Sequence, residues 1–175
     1  MSASEPRPPE WPVNPFWDFS VALYGRPGVG SACLALQDRH GLDVNLLLFC
    51  VYAAACGKRL TAADLTSLNV SVGPWRRRVV EPLRQVRRTF KEPGHGAMDA
   101  LAERLRRQVL EAEIEAERAA QAILYRALPL QRAAAVPDPS FARDNLEAYL
   151  AAAGLAHRPE TARDLTVLLE AIRER

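Results

Sequence analysis

The chain has 175 residues, of which 49% are hydrophobic and 25% are charged, and its formal net charge at pH 7 is +2. This composition excludes wholesale disorder, and the length is typical of one domain with a full hydrophobic core. The small net charge favours no polyanionic partner by itself, so evidence for such a partner has to come from local patches.

The N-terminal residues 1–13 are rich in proline and are predicted to be disordered. They lack the basic and then apolar pattern of a secretory signal, and no uncharged stretch of the chain reaches the roughly 20 residues that a membrane span needs. Cys33, Cys50 and Cys56 have neither the spacing of a zinc site nor that of a disulfide framework. We therefore expect a cytoplasmic protein with reduced cysteines and without a membrane span.

Three helices are predicted in the first third of the chain. The first spans residues 15–24, and the second spans about 27–40, where apolar residues recur at helical spacing. The third spans residues 44–56 and is apolar on every side, which is typical of a helix at the centre of a bundle. Gly41 is predicted to end the second helix, and Asp43 to cap the third.

A short helix is predicted over residues 61–68, and Pro74 is predicted to open an amphipathic helix that runs to residue 91. The apolar stripe of this second helix begins at Trp75 and keeps its phase across Pro82, which lies inside the helix. Because proline lacks a backbone donor and its ring clashes with the preceding turn, we expect a kink at this position.

A long helix is predicted over residues 97–128, followed by a linker over 129–137 and a helical hairpin over 138–175. No segment has the alternating pattern of a β-strand. The predicted fold is therefore all-α. A single bundle, residues 14–128, surrounds the buried helix 44–56, with the long helix crossing it and the C-terminal hairpin appended.

A polar cluster stands at the turn between the second and third helices, where the sequence reads LALQDRHGLDVNLLLFC. Its members are Asp38, His40, Asp43 and Asn45. Helix capping and turn packing are one explanation, although Asp38 and His40 have no capping duty. A site for a polar ligand is the alternative. A metal site is not indicated, because none of the paired-histidine spacings accompanies the cluster.

The helix over residues 74–91 is strongly basic. Four of its cations fall in one narrow sector opposite the apolar stripe: Arg77, Arg84, Arg88 and Lys91. This basic face is either an ordinary solvated surface or a docking site for an acidic protein surface or a nucleic acid. Arg76 and Arg87 flank the apolar stripe instead.

Glu113 and Glu117 in the long helix lie between two apolar stripes and have no cation at helical spacing. Carboxylates in a partly buried sector need a partner. We expect at least one of them to pair with Arg76 or Arg87 across an antiparallel contact between the basic helix and the long helix. The result is either a structural ion network or a polar pocket built from the same side chains.

Four segments occur in order within residues 15–128: FWDFSVALYGRPGV, CLALQDRHGLDVNLLLF, PWRRRVVEPLR and EIEAER. In them the chain resembles a family of small proteobacterial proteins catalogued only as a domain of unknown function. The resemblance implies a bacterial, cytoplasmic protein and brings no activity with it. It places these residues within family-like motifs: Trp17, Asp38, Asp43, Asn45, Trp75, Arg76, Pro82, Arg84, Glu113 and Glu117.

Two functions of different class fit the sequence. The favoured one is a non-enzymatic adaptor that docks a protein partner, or with less support a nucleic acid, through the basic helix or the C-terminal hairpin. The alternative is a small-ligand-binding protein or enzyme whose polar pocket is built from Asp38, Asp43, Asn45, Trp75, Arg76 and Glu113. No catalytic signature and no cofactor motif is present, and the oligomeric state is not indicated. Convergence of those side chains on one cavity would favour the second function.

Overall fold

The computed structural model describes residues 11–91, 98–131, 140–156 and 158–173. Its helical elements are α1 (Pro15–Tyr24), α2 (Val29–His40), α3 (Val44–Ala55), α4 (Ala62–Trp75), a π-helical turn (Arg76–Val80), α5 (Glu81–Thr89), α6 (Asp99–Ala127), α7 (Ser140–Ala152) and α8 (Pro159–Arg173). The described ranges contain no strand, and the predicted all-α fold is confirmed. Within them, no helix is both long enough and apolar enough to cross a membrane.

Helix α3 is the central helix, as its composition predicts. Every residue from Asn45 to Ala54 is buried. Apolar side chains cover its whole circumference, so they are shielded from water only if other helices pack on all sides. Helices α1, α2, α6 and α7 provide these contacts. The predicted cap is also confirmed, since the carboxylate of Asp43 accepts hydrogen bonds from the backbone N–H groups of Asn45 and Leu46.

Helices α7 and α8 belong to the same core. Helix α7 packs mainly against α3 and α8 against α2, and their contact with each other is smaller. Leu146 and Leu168 are fully buried in the same apolar cluster as α3. The buried side chain of Asn145 accepts from the Leu60 N–H and donates to the Cys50 and Lys58 carbonyls. These helices are therefore part of the bundle, whereas the sequence suggested an appended hairpin.

Some predictions concern residues that lie outside the described ranges. The disordered N-terminus predicted over 1–13 falls mostly there, and so does the linker predicted over 129–137. Both stay predictions, as does the division into domains that depends on them.

Helix α4, the π-helical turn and α5 form one continuous helical segment, which differs from the prediction. The helix expected to end near residue 68 continues to Trp75, so Pro74 lies in its last turn and does not open a new helix. In the π-helical turn the N–H of Glu81 bonds to the carbonyl of Arg76, five residues earlier. In an uninterrupted α-helix the ring of Pro82 would clash with the carbonyl four residues earlier. The wide π-helical turn leaves room for that ring, and it occurs where the sequence predicted a kink.

The π-helical turn also changes which side chains share a face. Each α-helical residue advances about 100° around the axis, so the one extra residue of a π turn rotates everything after it back by about that angle. A straight helix would place Arg76 and Arg84 about 80° apart, whereas with the extra residue they are about 20° apart. Val86, expected on the buried stripe, is instead 45% exposed. The apolar stripe therefore does not keep its phase across Pro82.

Candidate functional site

A cavity of about 290 Å³ lies where α2, the start of α3, the π-helical turn, α5 and α6 meet. Its polar lining consists of Gln37, Asp38, Asp43, Asn45, Arg76, Glu81, Arg84, Gln85, Arg88 and Glu117. Leu42, Val80 and Ala120 contribute apolar surface. On a wheel corrected for the π turn, the lining residues of α5 and the turn fall on one side of the helix, which is why they converge here.

The cavity gathers part of the pocket that the sequence suggested. Asp38, Asp43, Asn45 and Arg76 line it, and Glu117 joins them. Trp75 and Glu113 do not line it. The indole of Trp75 donates to the Ala116 carbonyl at 2.9 Å, which fixes the π-helical turn against α6. His40 does not line the cavity either, and its Nε2 is buried without a hydrogen-bond partner among the described residues.

Asp43 holds three helices together at the base of the cavity. One carboxylate oxygen caps α3, and the other accepts from Nη1 of Arg76 at 3.2 Å. Its backbone N–H donates to the hydroxyl of Tyr149 in α7 at 3.0 Å. Burial and the nearby Asp43 carboxylate both raise the pKa of Tyr149, so this hydroxyl stays neutral. Capping and ion pairing are therefore combined in one side chain.

Asn45 links α3 to α6. Its amide N–H donates to Glu117, and its amide oxygen accepts from Gln121 at 3.0 Å. Burial raises the pKa of the Glu117 carboxyl, the hydrogen bond from Asn45 and the charge of Arg84 oppose that rise, and the charge of Asp43 adds to it. Glu117 is thus a half-buried carboxylate whose charged form depends on two specific partners.

The expected ion pair between the basic helix and the long helix is present. Arg87 binds Glu113 through Nε at 2.5 Å and through Nη2 at 3.3 Å. Arg84 reaches both carboxylates, Glu117 at 2.6 Å and Glu113 at 3.4 Å. As residue numbers rise along α5 they fall along α6, so the contact is antiparallel, as predicted. Arg76, the other expected partner, pairs with Asp43 instead.

The predicted basic face is not one continuous solvent-facing sector. The Arg84 side chain is only 20% exposed, because the π-helical turn rotates it toward α6. Arg88 bonds to Asp38 at 2.9 Å across the mouth of the cavity. Arg77 and Lys91 are exposed. Two of the four cations therefore contribute to the cavity.

Sequence reasoning missed several members of the site. Glu81 is the single acid among the cations of its helix, and Gln121 is a lone amide in the apolar stretch AAQAIL, so both had a signal that could have identified them. Tyr149 had none, because nothing in its own helix shows that α7 lies beside the start of α3. Gln37 and Gln85 resemble ordinary surface residues.

The cavity offers guanidinium, carboxylate and amide groups side by side. Guanidinium groups bind carboxylates and phosphates through paired N–H donors, and carboxylates accept hydrogen bonds from ammonium and hydroxyl groups. Among the described residues, no group of three or more His, Cys, Asp or Glu side chains is placed to hold a metal ion. The chemistry that the site provides is hydrogen bonding and charge recognition.

A family model described as "Protein of unknown function (DUF2390)" matches residues 15–124. No curated protein and no solved structure is significantly similar to the chain. The matched range contains the whole lining of the cavity, while α7 and α8 lie outside it. Because the match covers well over half of the chain, the protein belongs to this family of unknown function.

Proposed function

We propose that the protein binds a small polar molecule in the cavity between α2, α3, α5 and α6. The observation that carries the proposal is the convergence of charged and amide side chains on one open space from α2, the start of α3, the continuous segment of the π-helical turn and α5, and α6. In a purely structural ion network the paired side chains fill the space between the helices. Here the paired side chains line a cavity with the volume of about ten water molecules. That volume suits a small molecule.

Unused hydrogen-bonding capacity supports the same proposal. Arg76 and Arg88 each donate to a single carboxylate in the hydrogen bonds described above, and Arg84 donates to two. Each guanidinium therefore keeps N–H groups that no described residue satisfies. Nε of Arg76 is also buried without a hydrogen-bond partner among the described residues, and such a group is costly, so a ligand that supplies an acceptor would be bound favourably.

Docking of a protein partner or a nucleic acid stays a second candidate. The basic helix was its expected surface, but Arg84 and Arg88 already pair with carboxylates of the same chain, which lowers the positive charge left for a partner. The C-terminal helices, the other expected docking element, bury their leucines in the core. Ligand binding therefore ranks above docking.

We expect the protein to act in the bacterial cytoplasm. Cys33 and Cys50 are buried, free thiols. Burial raises the pKa of Cys33 to about 12, so this thiol is protonated at physiological pH. Unpaired, buried cysteines support a reducing compartment.

A thermal-shift screen of the full chain against a library of small polar metabolites tests the proposal. A ligand that binds only the folded state raises the melting temperature. We expect at least one compound to stabilise the protein, and Arg88→Gln at the cavity mouth to reduce its affinity. Lys91→Gln is the matched control, because it removes an exposed cation in the turn directly after α5, away from the cavity.

Two results would contradict ligand binding in this cavity. One is a library without any stabilising compound at millimolar concentration. The other is equal affinity of the wild type and Arg88→Gln for every compound that does stabilise the protein.

A further inference from the structure

We infer that the ligand is a small zwitterion of the amino-acid type. Its carboxylate binds the guanidinium groups at the deep end of the cavity, and its ammonium group binds the carboxylates at the mouth. This inference rests on the proposed function, because it names the class of molecule that the same cavity takes.

The deep end of the cavity holds the guanidinium groups of Arg76 and Arg84 beside the carboxylates of Asp43 and Glu117, and the guanidinium groups keep donors that these carboxylates do not use. The side chains of Arg76 and Arg84 are 25% and 20% exposed, and the π-helical turn places them on the same face of the helix. Arg76 uses Nη1 on Asp43, while Arg84 uses Nε on Glu113 and Nη2 on Glu117. Nη2 of Arg76 and Nη1 of Arg84 form no hydrogen bond to the described residues. Planar guanidinium donors bind the paired oxygens of a carboxylate or a phosphate.

The mouth of the cavity is rich in acceptors. The side chains of Asp38 and Glu81 are 56% and 50% exposed and stand on α2 and at the start of α5. Asp38 accepts from Arg88 through one oxygen, which leaves its second oxygen free of the described residues. Glu81 approaches Nε of Arg76 through one oxygen, at 3.4 Å. The remaining oxygens can accept hydrogen bonds from an ammonium group.

The charge balance selects among ligand classes. The cavity is lined by four carboxylates, Asp38, Asp43, Glu81 and Glu117, and by three guanidinium groups, so its formal charge is −1. A dianion such as a phosphate monoester is disfavoured by that balance, because like charge repels it. A simple monocarboxylate leaves the acceptors at the mouth unused, and a diamine leaves the deep donors unused. A zwitterion adds no net charge and uses both ends.

Isothermal titration calorimetry of the full chain tests this class. The probes are the free proteinogenic amino acids, followed by the N-acetyl derivative and the carboxamide derivative of whichever binds best. The N-acetyl derivative lacks the ammonium group and the carboxamide lacks the carboxylate. We expect each derivative to bind about tenfold more weakly or worse, since each loses a charge-assisted hydrogen bond.

Glu81→Gln independently tests whether the mouth of the cavity binds the ammonium group of the ligand. It should weaken binding of the free amino acid by about tenfold while leaving the N-acetyl derivative unaffected, because only the ammonium group is recognised there. Lys91→Gln should leave both affinities unchanged.

The outcomes separate this inference from the proposed function. If no free amino acid binds while other compounds of the metabolite library do, the inference that the ligand is a zwitterion is wrong and the proposed function stands. If nothing binds, both are wrong. If the amino acid and its N-acetyl derivative bind equally, recognition of the ammonium group is wrong and the ligand is a simple carboxylate.

Discussion

At the scale of single residues, Asp43 is the centre of the polar network. It caps α3 with one oxygen, pairs with Arg76 through the other, and anchors Tyr149 through its backbone N–H. Helix caps and buried ion pairs act by different physics, because the first needs only an acceptor whereas the second needs a charge. Substitutions at this position can therefore separate the two contributions.

Asp43→Ala should lower the free energy of unfolding by about 2–4 kcal/mol, since it removes the cap and leaves the Arg76 charge without its buried partner. Asp43→Asn keeps a cap acceptor and loses only the charge, so it should be less destabilising than alanine by about 1 kcal/mol. Urea denaturation of both variants measures the difference. Equal stabilities would mean that the cap contributes nothing.

Glu117 should make stability depend on pH. Burial raises its pKa in the folded protein above the unfolded value, so the folded state binds the proton more tightly than the unfolded state. Stability relative to Glu117→Gln should therefore be highest below the unfolded pKa of about 4.3 and fall as pH rises through the folded pKa. Urea melts of both proteins between pH 4 and pH 8 measure this difference. Parallel pH profiles would show that Glu117 titrates normally.

At the scale of helical elements, the antiparallel packing of α5 on α6 depends on charges that neither helix satisfies alone. Arg84 and Arg87 of α5 face Glu113 and Glu117 of α6. Glu113 is buried, so removal of its partner leaves a charge in a low-dielectric setting.

A double-mutant cycle with Arg87→Gln and Glu113→Gln should give a coupling energy of about 1–3 kcal/mol. The matched control is the exposed pair Arg88–Asp38, for which the coupling should be below about 1 kcal/mol. Denaturant melts of the wild type, the four single variants and the two double variants supply both numbers. A coupling for Arg87–Glu113 no larger than that of the control pair would remove the ion network as a stabilising element.

The π-helical turn marks the limit of prediction at this scale. A helical wheel assumes one constant angle per residue, so it assigned Val86 to the buried stripe and Arg84 to the exposed face. Pro82 signalled an irregularity, but a kink and an inserted residue have the same sequence signature. By contrast, the cap at Asp43 is a local hydrogen-bonding pattern, and the sequence predicted it.

At the scale of the whole molecule, one buried helix organises the fold. The apolar circumference of α3 requires neighbours on every side, and this requirement is strong enough to be read from the sequence. The positions of α7 and α8 could not be read from the sequence. The pattern of an amphipathic helix shows which face is buried, but it does not show which other helix covers that face. For the same reason Asp43 and Asn45 could be predicted as site residues from the sequence, whereas the proximity of Tyr149 and Gln37 to them could not.

Leu47→Ala should lower the free energy of unfolding by about 2–5 kcal/mol, because Leu47 is fully buried in α3 and its loss leaves a cavity. Val70→Ala is the control, since that side chain on α4 is largely exposed and its loss should cost less than about 0.5 kcal/mol. Chemical denaturation measures both. A Leu47→Ala effect as small as that of the control would mean that α3 is not the centre of the core.

The most direct test of the binding proposal is a two-dimensional ¹H–¹⁵N NMR titration of the full chain with the best-binding compound, recording backbone amides and arginine Nε–H groups. We predict that the perturbed signals cluster on the cavity lining, with Asp38, Arg76 and Arg84 among the largest shifts. Perturbations centred on Arg77 and Lys91, or shifts spread without a cluster, would contradict binding in this cavity.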